Sequence, residues 1–148
     1  MHYCLIYNLN SSSGKKLKLI NKICEKLKIN NTVDYFKTKS EKEAKNIFLK
    51  FKNKNYDRLI VAGGDGSVSF AINELIKNDF VFNDNFKIGY IPAGTANLLQ
   101  AELSITKKVD NICDVLTSNN YKQSNLIKIN KNYFFLMAGI GWDAKIVH

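Results

Sequence analysis

The residues best suited to chemistry are Gly63-Gly64-Asp65-Gly66-Ser67-Val68-Ser69-Phe70. The glycines let a backbone approach a ligand closely. Val68, Ile72, Leu75 and Ile76 then fall at helical spacing. A helix starting there offers unpaired N–H groups and a partial positive charge to an anion. Asp65 is the carboxylate among these glycines. It would repel a bare phosphate, but it suits a site that holds phosphate together with a divalent cation. The octapeptide also reads as a tight strand-to-helix turn, with Ser67 near the N-cap and Asp65 solvated.

A second segment repeats the arrangement. Pro92, the single proline of the chain, ends an apolar run from Lys87 to Ile91 and is followed by Ala93-Gly94-Thr95-Ala96-Asn97. Proline cannot donate to a sheet ladder, so it marks the strand end. Leu98, Leu99 and Leu103 then follow at helical spacing. Thr95 suits an N-cap, or its hydroxyl faces a phosphate or ribose. Two such turns are placed to line one cleft at the carboxyl ends of parallel strands, where open α/β sheets bind ligands.

Other candidates have two readings each. Thr38 points into the same cleft, or it is a solvated turn residue ahead of a capping box made by Ser40 and Glu43. Ser13 and Gly14 cap a helix or touch nucleotide. Trp142 reads as packing, and Asp143 as a cap in preference to a site carboxylate. His2 and His148 lie at the termini without a ligand partner at useful spacing, so no zinc site is expected.

With its two glycine turns the chain resembles the catalytic domain of the diacylglycerol kinase and related lipid kinase family. That family carries GGDGT followed by P-x-G-T-x-N, matched here by Gly63 to Ser67 and Pro92 to Asn97. Asn10-Ser11-Ser12-Ser13-Gly14 resembles its N-P-x-S-G. The stretch from Phe134 to Ala144 resembles its F-x-N-x-x-x-G-F-D-A. The GGDG element is shared with NAD kinases, but the segment from Pro92 to Asn97 argues against that alternative. The chain departs from the pattern at Ser11 for proline, Ser67 for threonine, Ser69 for asparagine, and Asn125 about where many members have aspartate.

The resemblance implies Asp65 as catalytic residue. It implies nucleotide contacts from Asn10, Thr38, Gly63, Gly64, Asp65, Gly66, Ser67, Val68, Ser69, Gly94, Thr95 and Asn97, with no metal ligand assigned. It implies ATP and Mg²⁺ as cofactors, a nucleotide and a membrane-borne lipid as partners, and transfer of the ATP γ-phosphoryl group to a lipid hydroxyl such as that of diacylglycerol. Family members continue into a second, mostly β domain that contributes lipid contacts and a general base. Residues 1–148 therefore read as one nucleotide-binding domain without that partner domain. An inactive nucleotide-binding remnant and one subunit of a split kinase remain the alternative readings.

The elements that must position these residues alternate. Apolar runs predict strands at 3–9, 32–37, 58–62 and 87–91, and helical periodicity predicts helices at 15–28, 41–52, 67–77, 96–103 and 107–117. Residues 122–130 and 133–141 predict a hairpin around Asn130-Lys131-Asn132. The expected fold is α/β: a doubly wound, mostly parallel sheet with a C-terminal β-hairpin, as in NAD kinases and diacylglycerol kinases.

Composition narrows the function classes. At 148 residues the chain can bury a sizeable core. The formal charge is +9, yet of 22 basic residues only Arg58 is arginine, and no nucleic-acid motif is present. Scattered lysines favour anionic lipid headgroups over nucleic acid as a weak electrostatic partner. Cys4, Cys24 and Cys113 have no C-x-x-C spacing and fit buried thiols in a reducing compartment. No apolar run approaches the roughly 20 residues that span a bilayer, and no signal peptide opens the chain. A cytoplasmic location, peripheral to the membrane, is expected.

Overall fold

The computed structural model describes residues 1–9, 14–106 and 108–136. Four strands form one parallel sheet: β1 (His2–Asn8), β2 (Thr32–Thr38), β3 (Arg58–Gly63) and β4 (Lys87–Pro92), in the order β2-β1-β3-β4. Tyr3 to Tyr7 of β1 and all six residues of β3 are buried. Strands covered on both faces must be apolar along their whole length rather than on alternate residues, which explains the continuous runs.

Among the described residues five helices accompany the sheet: α1 (Gly14–Lys28), α2 (Glu41–Phe51), α3 (Asp65–Lys77), α4 (Leu98–Glu102) and α5 (Val109–Thr117). Right-handed crossovers from β1 out to β2 and from β3 out to β4 put α1 and α3 on opposite faces. α1 presents Ile20, Ile23, Cys24 and Leu27 inward and packs beside α5, where the Cys113 thiol meets the Ile23 carbonyl. On the other face Phe48 of α2 meets Phe70 of α3 edge-on, with ring centroids 6.1 Å apart. The doubly wound reading therefore holds, as do buried thiols at all three cysteines.

Two joints fix the sheet to its helices. Gly89 lies under Leu116 of α5, and a Cβ there would come within 2.5 Å of the Leu116 side chain. Arg58, buried in β3, donates to the carbonyls of Leu116 and Ser118. A fixed cation at the C-terminal end of α5 satisfies orphan carbonyls and complements the helix dipole.

Several boundaries differ from expectation. α3 begins at Asp65, with Gly64 as N-cap, so Ser67 lies inside the first turn and caps nothing. α4 spans Leu98–Glu102 with Asn97 as its N-cap, not Thr95. The hairpin is shorter than predicted: β5 (Ile127–Ile129) pairs antiparallel with β6 (Asn132–Phe134), and the polar stretch before Ile127 forms no strand. Asn130 takes a positive φ of 55° at the turn, a geometry asparagine tolerates. The expectation for residues 137–141, and those for Trp142 and Asp143, lie outside the described residues.

Candidate functional site

The chain leaves β1 toward β2 on one side and β3 toward β4 on the other. The carboxyl ends of β1 and β3 therefore mark a topological switch point, where a crevice opens. A cleft of about 230 Å³ lies there. Ile6 and Asn8 of β1, Val61 and Ala62 of β3, and Thr38 at the end of β2 form its sheet side. Ser40, Glu41, Ala44 and Phe48 of the α2 end and Gly66, Ser67, Phe70 and Ala71 of α3 form its helical side.

Each lining residue has a local reason to be there. Ser40 caps α2 by accepting from the Glu43 N–H, while Glu43 reaches back to the Lys39 N–H at 2.7 Å. The expected capping box thus forms, with the return bond one residue upstream of the cap. Thr38 is 3% exposed, and its hydroxyl donates to the Tyr7 carbonyl at 3.3 Å. It is a buried wall of the cleft rather than a solvated turn residue. Gly66 is exposed, and a Cβ there would meet nothing within 4 Å. Its missing side chain leaves the floor of the cleft open beside the first turn of α3, whose N–H groups and dipole favour an anion.

The two glycine turns are fused into one edge. The Gly63 carbonyl accepts from both the Ala93 N–H (2.8 Å) and the Gly94 N–H (3.1 Å). Gly64 and Gly94 pack backbone against backbone. Gly64 has φ −90°, so proximity and not a left-handed conformation demands glycine there. Gly63 is required by Ser67, whose Oγ would lie 2.4 Å from an added Cβ.

Asp65 does not sit solvated between the turns. Its two carboxylate oxygens accept from the Leu98 N–H (2.8 Å) and the Leu99 N–H (3.0 Å). The carboxylate of one glycine turn thereby caps the helix that follows the other, which α4 needs because Asn97 offers no side-chain cap. Asn97 takes φ 50° and folds its side chain back instead: Oδ1 accepts from the Gly94 N–H and the Tyr90 hydroxyl, and Nδ2 donates to the Gly94 carbonyl, all at 2.9 Å. Burial, reinforced by the Asp65 charge, pushes the Tyr90 hydroxyl pKa up, so it stays protonated as a donor.

Sequence-level candidates thus divide by place. Thr38, Gly66 and Ser67 meet in the cleft, while Gly63, Gly64, Asp65, Gly94 and Asn97 build the adjoining edge. Thr95 is exposed beside it. Val68 is 2% exposed and belongs to the core, and Ser69 gives its carbonyl to Asn73 within α3. Asn10 lies outside the described residues, as does Ser13. Among the described residues no three His, Cys, Asp or Glu side chains gather to hold a metal ion. No described helix is long and apolar enough to cross a membrane.

Residues 2–129 match the sequence profile described as the Diacylglycerol kinase catalytic domain. The chain belongs to that family. It is 31% identical over 147 residues to a Streptococcus pneumoniae (serotype 4) protein named "Putative lipid kinase". That match covers 97% of this chain and 48% of the relative. A Staphylococcus aureus (strain bovine RF122) protein named "Putative lipid kinase SAB0675c" is 30% identical over 137 residues, 90% of this chain and 42% of its own. The crystal structure of a diacylglycerol kinase from Bacillus anthracis superposes with a TM-score of 0.73 at 25% identity, over 90% of this chain and 49% of that one. The chain spans about half the length of the curated relatives it matches.

One residue of the edge and one of the cleft carry no signal in a local motif. Lys16, in the first turn of α1, donates to the carbonyls of Ala93 and Gly94, both at 2.8 Å. In the sequence it reads as half of a surface lysine pair. Glu41 borders the cleft and pairs with Lys45 one turn later at 2.6 Å. The adjacency of β1, β3 and β4 brings Lys16 to the edge, and the pairing of β2 with β1 brings Glu41 to the cleft.

Proposed function

We propose that this chain is the nucleotide-binding part of an ATP-dependent lipid kinase that moves a γ-phosphoryl group to a lipid hydroxyl. The observation that carries the proposal is the fusion of the Gly63–Gly66 and Gly94–Asn97 turns at the carboxyl edge, next to a cleft at the switch point. In the reaction the lipid oxygen forms a bond to the γ-phosphorus, the bond from that phosphorus to the β–γ bridging oxygen breaks, ADP departs, and the hydroxyl proton passes to a base. Positioning and charge neutralisation dominate catalysis of this type.

The residues present fit a phosphate-bearing nucleotide. Gly66 leaves room for close approach, the first turn of α3 offers N–H groups, and Ser67 and Thr38 line the cleft with polar side chains. Mg²⁺ usually keeps several waters and binds through one or two carboxylates and the substrate phosphates. On this reading Asp65 would orient such a nucleotide-borne cation with its remaining lone pairs, while its bonds to Leu98 and Leu99 hold the two turns in register. Bound Mg-ATP supplies the transferable phosphoryl group and the counter-charge for it.

A second reading is favoured by one observation. Both oxygens of Asp65 at the edge are engaged, and Glu41 at the cleft is paired with Lys45, so neither carboxylate is poised to accept a lipid proton. A general base must come within about 3 Å of its hydroxyl or act through one water. The chain by itself then binds nucleotide weakly and transfers nothing, and transfer requires a complementary β-rich half supplied in fusion or in trans.

Titration of the 148-residue chain with Mg-ATP, followed by a phosphorylation assay across lipid alcohols with and without such a half, tests both readings. Weak binding without transfer, and transfer restored by the added half, is expected. Robust lipid phosphorylation by the chain alone, abolished by Asp65→Asn, overturns the second reading. Absence of any nucleotide binding overturns both.

A further inference from the structure

Lys16 stands where the α1 helix does not favour a cation. The first turn of α1 has no acidic residue and begins Gly14-Lys15-Lys16, so its positive dipole end faces two lysines. The structure offsets this for Lys16 in a particular way. Its ammonium crosses to the β4–α4 turn and donates to the Ala93 and Gly94 carbonyls, both at 2.8 Å. The Gly94 carbonyl accepts from Asn97 as well, and Gly94 is fixed from its other side by Gly63 and Gly64. The turn is therefore gripped between α1 and the β3–α3 turn.

The bonding of Lys16 has a second property. Neutral oxygens hold it, and among the described residues no carboxylate lies within ion-pair distance. Asp65, the carboxylate of the same edge, gives its oxygens to α4. An ammonium has three N–H donors, and two are used here. Among the described residues carbonyl dipoles satisfy this charge, so its field persists at the turn that packs against Gly64, the N-cap at the positive end of α3.

Resting on the nucleotide-binding reading above, we propose that Lys16 is a positioning residue: it clamps the β4–α4 turn through two carbonyls and makes the edge prefer a phosphate-bearing ligand over a neutral nucleoside. Lysine suits this task because its compact ammonium bridges adjacent carbonyls and remains a point charge.

Two variants separate the clamp from the charge. Lys16→Gln keeps a donor without the charge, and Lys16→Arg keeps the charge in a different shape. Circular dichroism should show both folded. Calorimetric titration with Mg-ATP and with adenosine should show Lys16→Gln losing about tenfold for Mg-ATP while adenosine changes by less than about twofold. The salt dependence of Mg-ATP binding should flatten in Lys16→Gln and return in Lys16→Arg. Equal losses for Mg-ATP and adenosine would mean Lys16 only props the turn, and the proposal fails. Unchanged Mg-ATP affinity in Lys16→Gln also overturns it while leaving the nucleotide reading in place. A wild-type chain that binds neither ligand removes both.

Discussion

Gly94 approaches Gly64 so closely that a Cβ on Gly94 would lie 2.4 Å from the Gly64 Cα. These residues are 30 positions apart and follow different strands. Their contact is backbone on backbone, with no side chain able to move aside.

Opposite effects are expected at two glycines of similar appearance. Gly94→Ala forces the turns apart and should destabilise the protein by about 1–3 kcal/mol, the usual range for overpacking. Gly66→Ala meets nothing and lies within α3, so it should stabilise by up to about 1 kcal/mol through helix propensity. The same methyl enters the cleft, so nucleotide affinity should fall. Urea denaturation and ligand titration of both variants read these signs, and a destabilised Gly66→Ala with normal affinity would contradict the cleft assignment.

Asp65→Ala should cost about 1–2 kcal/mol by stripping the cap from α4, and Asp65→Asn less, because an amide oxygen still accepts. Both variants should stay folded and bind Mg-ATP more weakly. Hydrogen exchange at Leu98 and Leu99 is the local readout. Protection there should drop in Asp65→Ala, and unchanged protection would show that the carboxylate does not cap the helix.

At the opposite end of the sheet, Asp34 accepts from the Tyr56 hydroxyl at 2.6 Å and lies 3.2 Å from His2. The Tyr56 bond, followed by His2, holds the Asp34 carboxyl below its usual value of 3.8. A carboxyl lowered by folding stabilises the protein at pH values above its unfolded pKa, and that contribution is lost as pH falls through the folded value. Thermal melts should therefore show the wild-type advantage over Tyr56→Phe at neutral pH shrinking below pH 3.8. An advantage that persists unchanged in strong acid would exclude Asp34 as its source.

Arg58→Met should cost about 1–3 kcal/mol, since it leaves the Leu116 and Ser118 carbonyls without their donor in a buried setting. Arg58→Lys should rescue only part, because one ammonium cannot reproduce the two-armed fork. Denaturant midpoints of the three proteins test the ranking.

The fold was legible because strands buried on both faces leave continuous apolar runs, as in Tyr3 to Tyr7 and Leu59 to Ala62, and amphipathic helices leave spaced ones. The glycine turns were legible because few residues but glycine permit such approaches. What local pattern could not carry was partnership across the sheet. Asp65 caps a helix that begins 33 residues later, so neither its structural role nor the start of α3 at Asp65 follows from nearby residues. Thr95 has the right chemistry for a cap, but the Asp65 carboxylate already supplies the acceptors for α4. Lys16 finds its carbonyls 77 and 78 positions away. A lysine among lysines gives no sign of such a bond.

The Asn73 side chain of α3 holds the hairpin through two hydrogen bonds. Asn73 Nδ2 donates to the Tyr133 carbonyl at 2.9 Å, and Oδ1 accepts from the Tyr133 N–H at 2.8 Å. The amide imitates the backbone of a neighbouring strand and so extends the β5–β6 ladder by one rung drawn from a helix. Asn73 stands about 12 Å along the α3 axis from Asp65 at 1.5 Å rise per residue. The helix whose first turn faces the cleft thus also holds the hairpin, about two turns further along. Substitution of Asn73 would remove both of these bonds between α3 and β6 without touching the glycines.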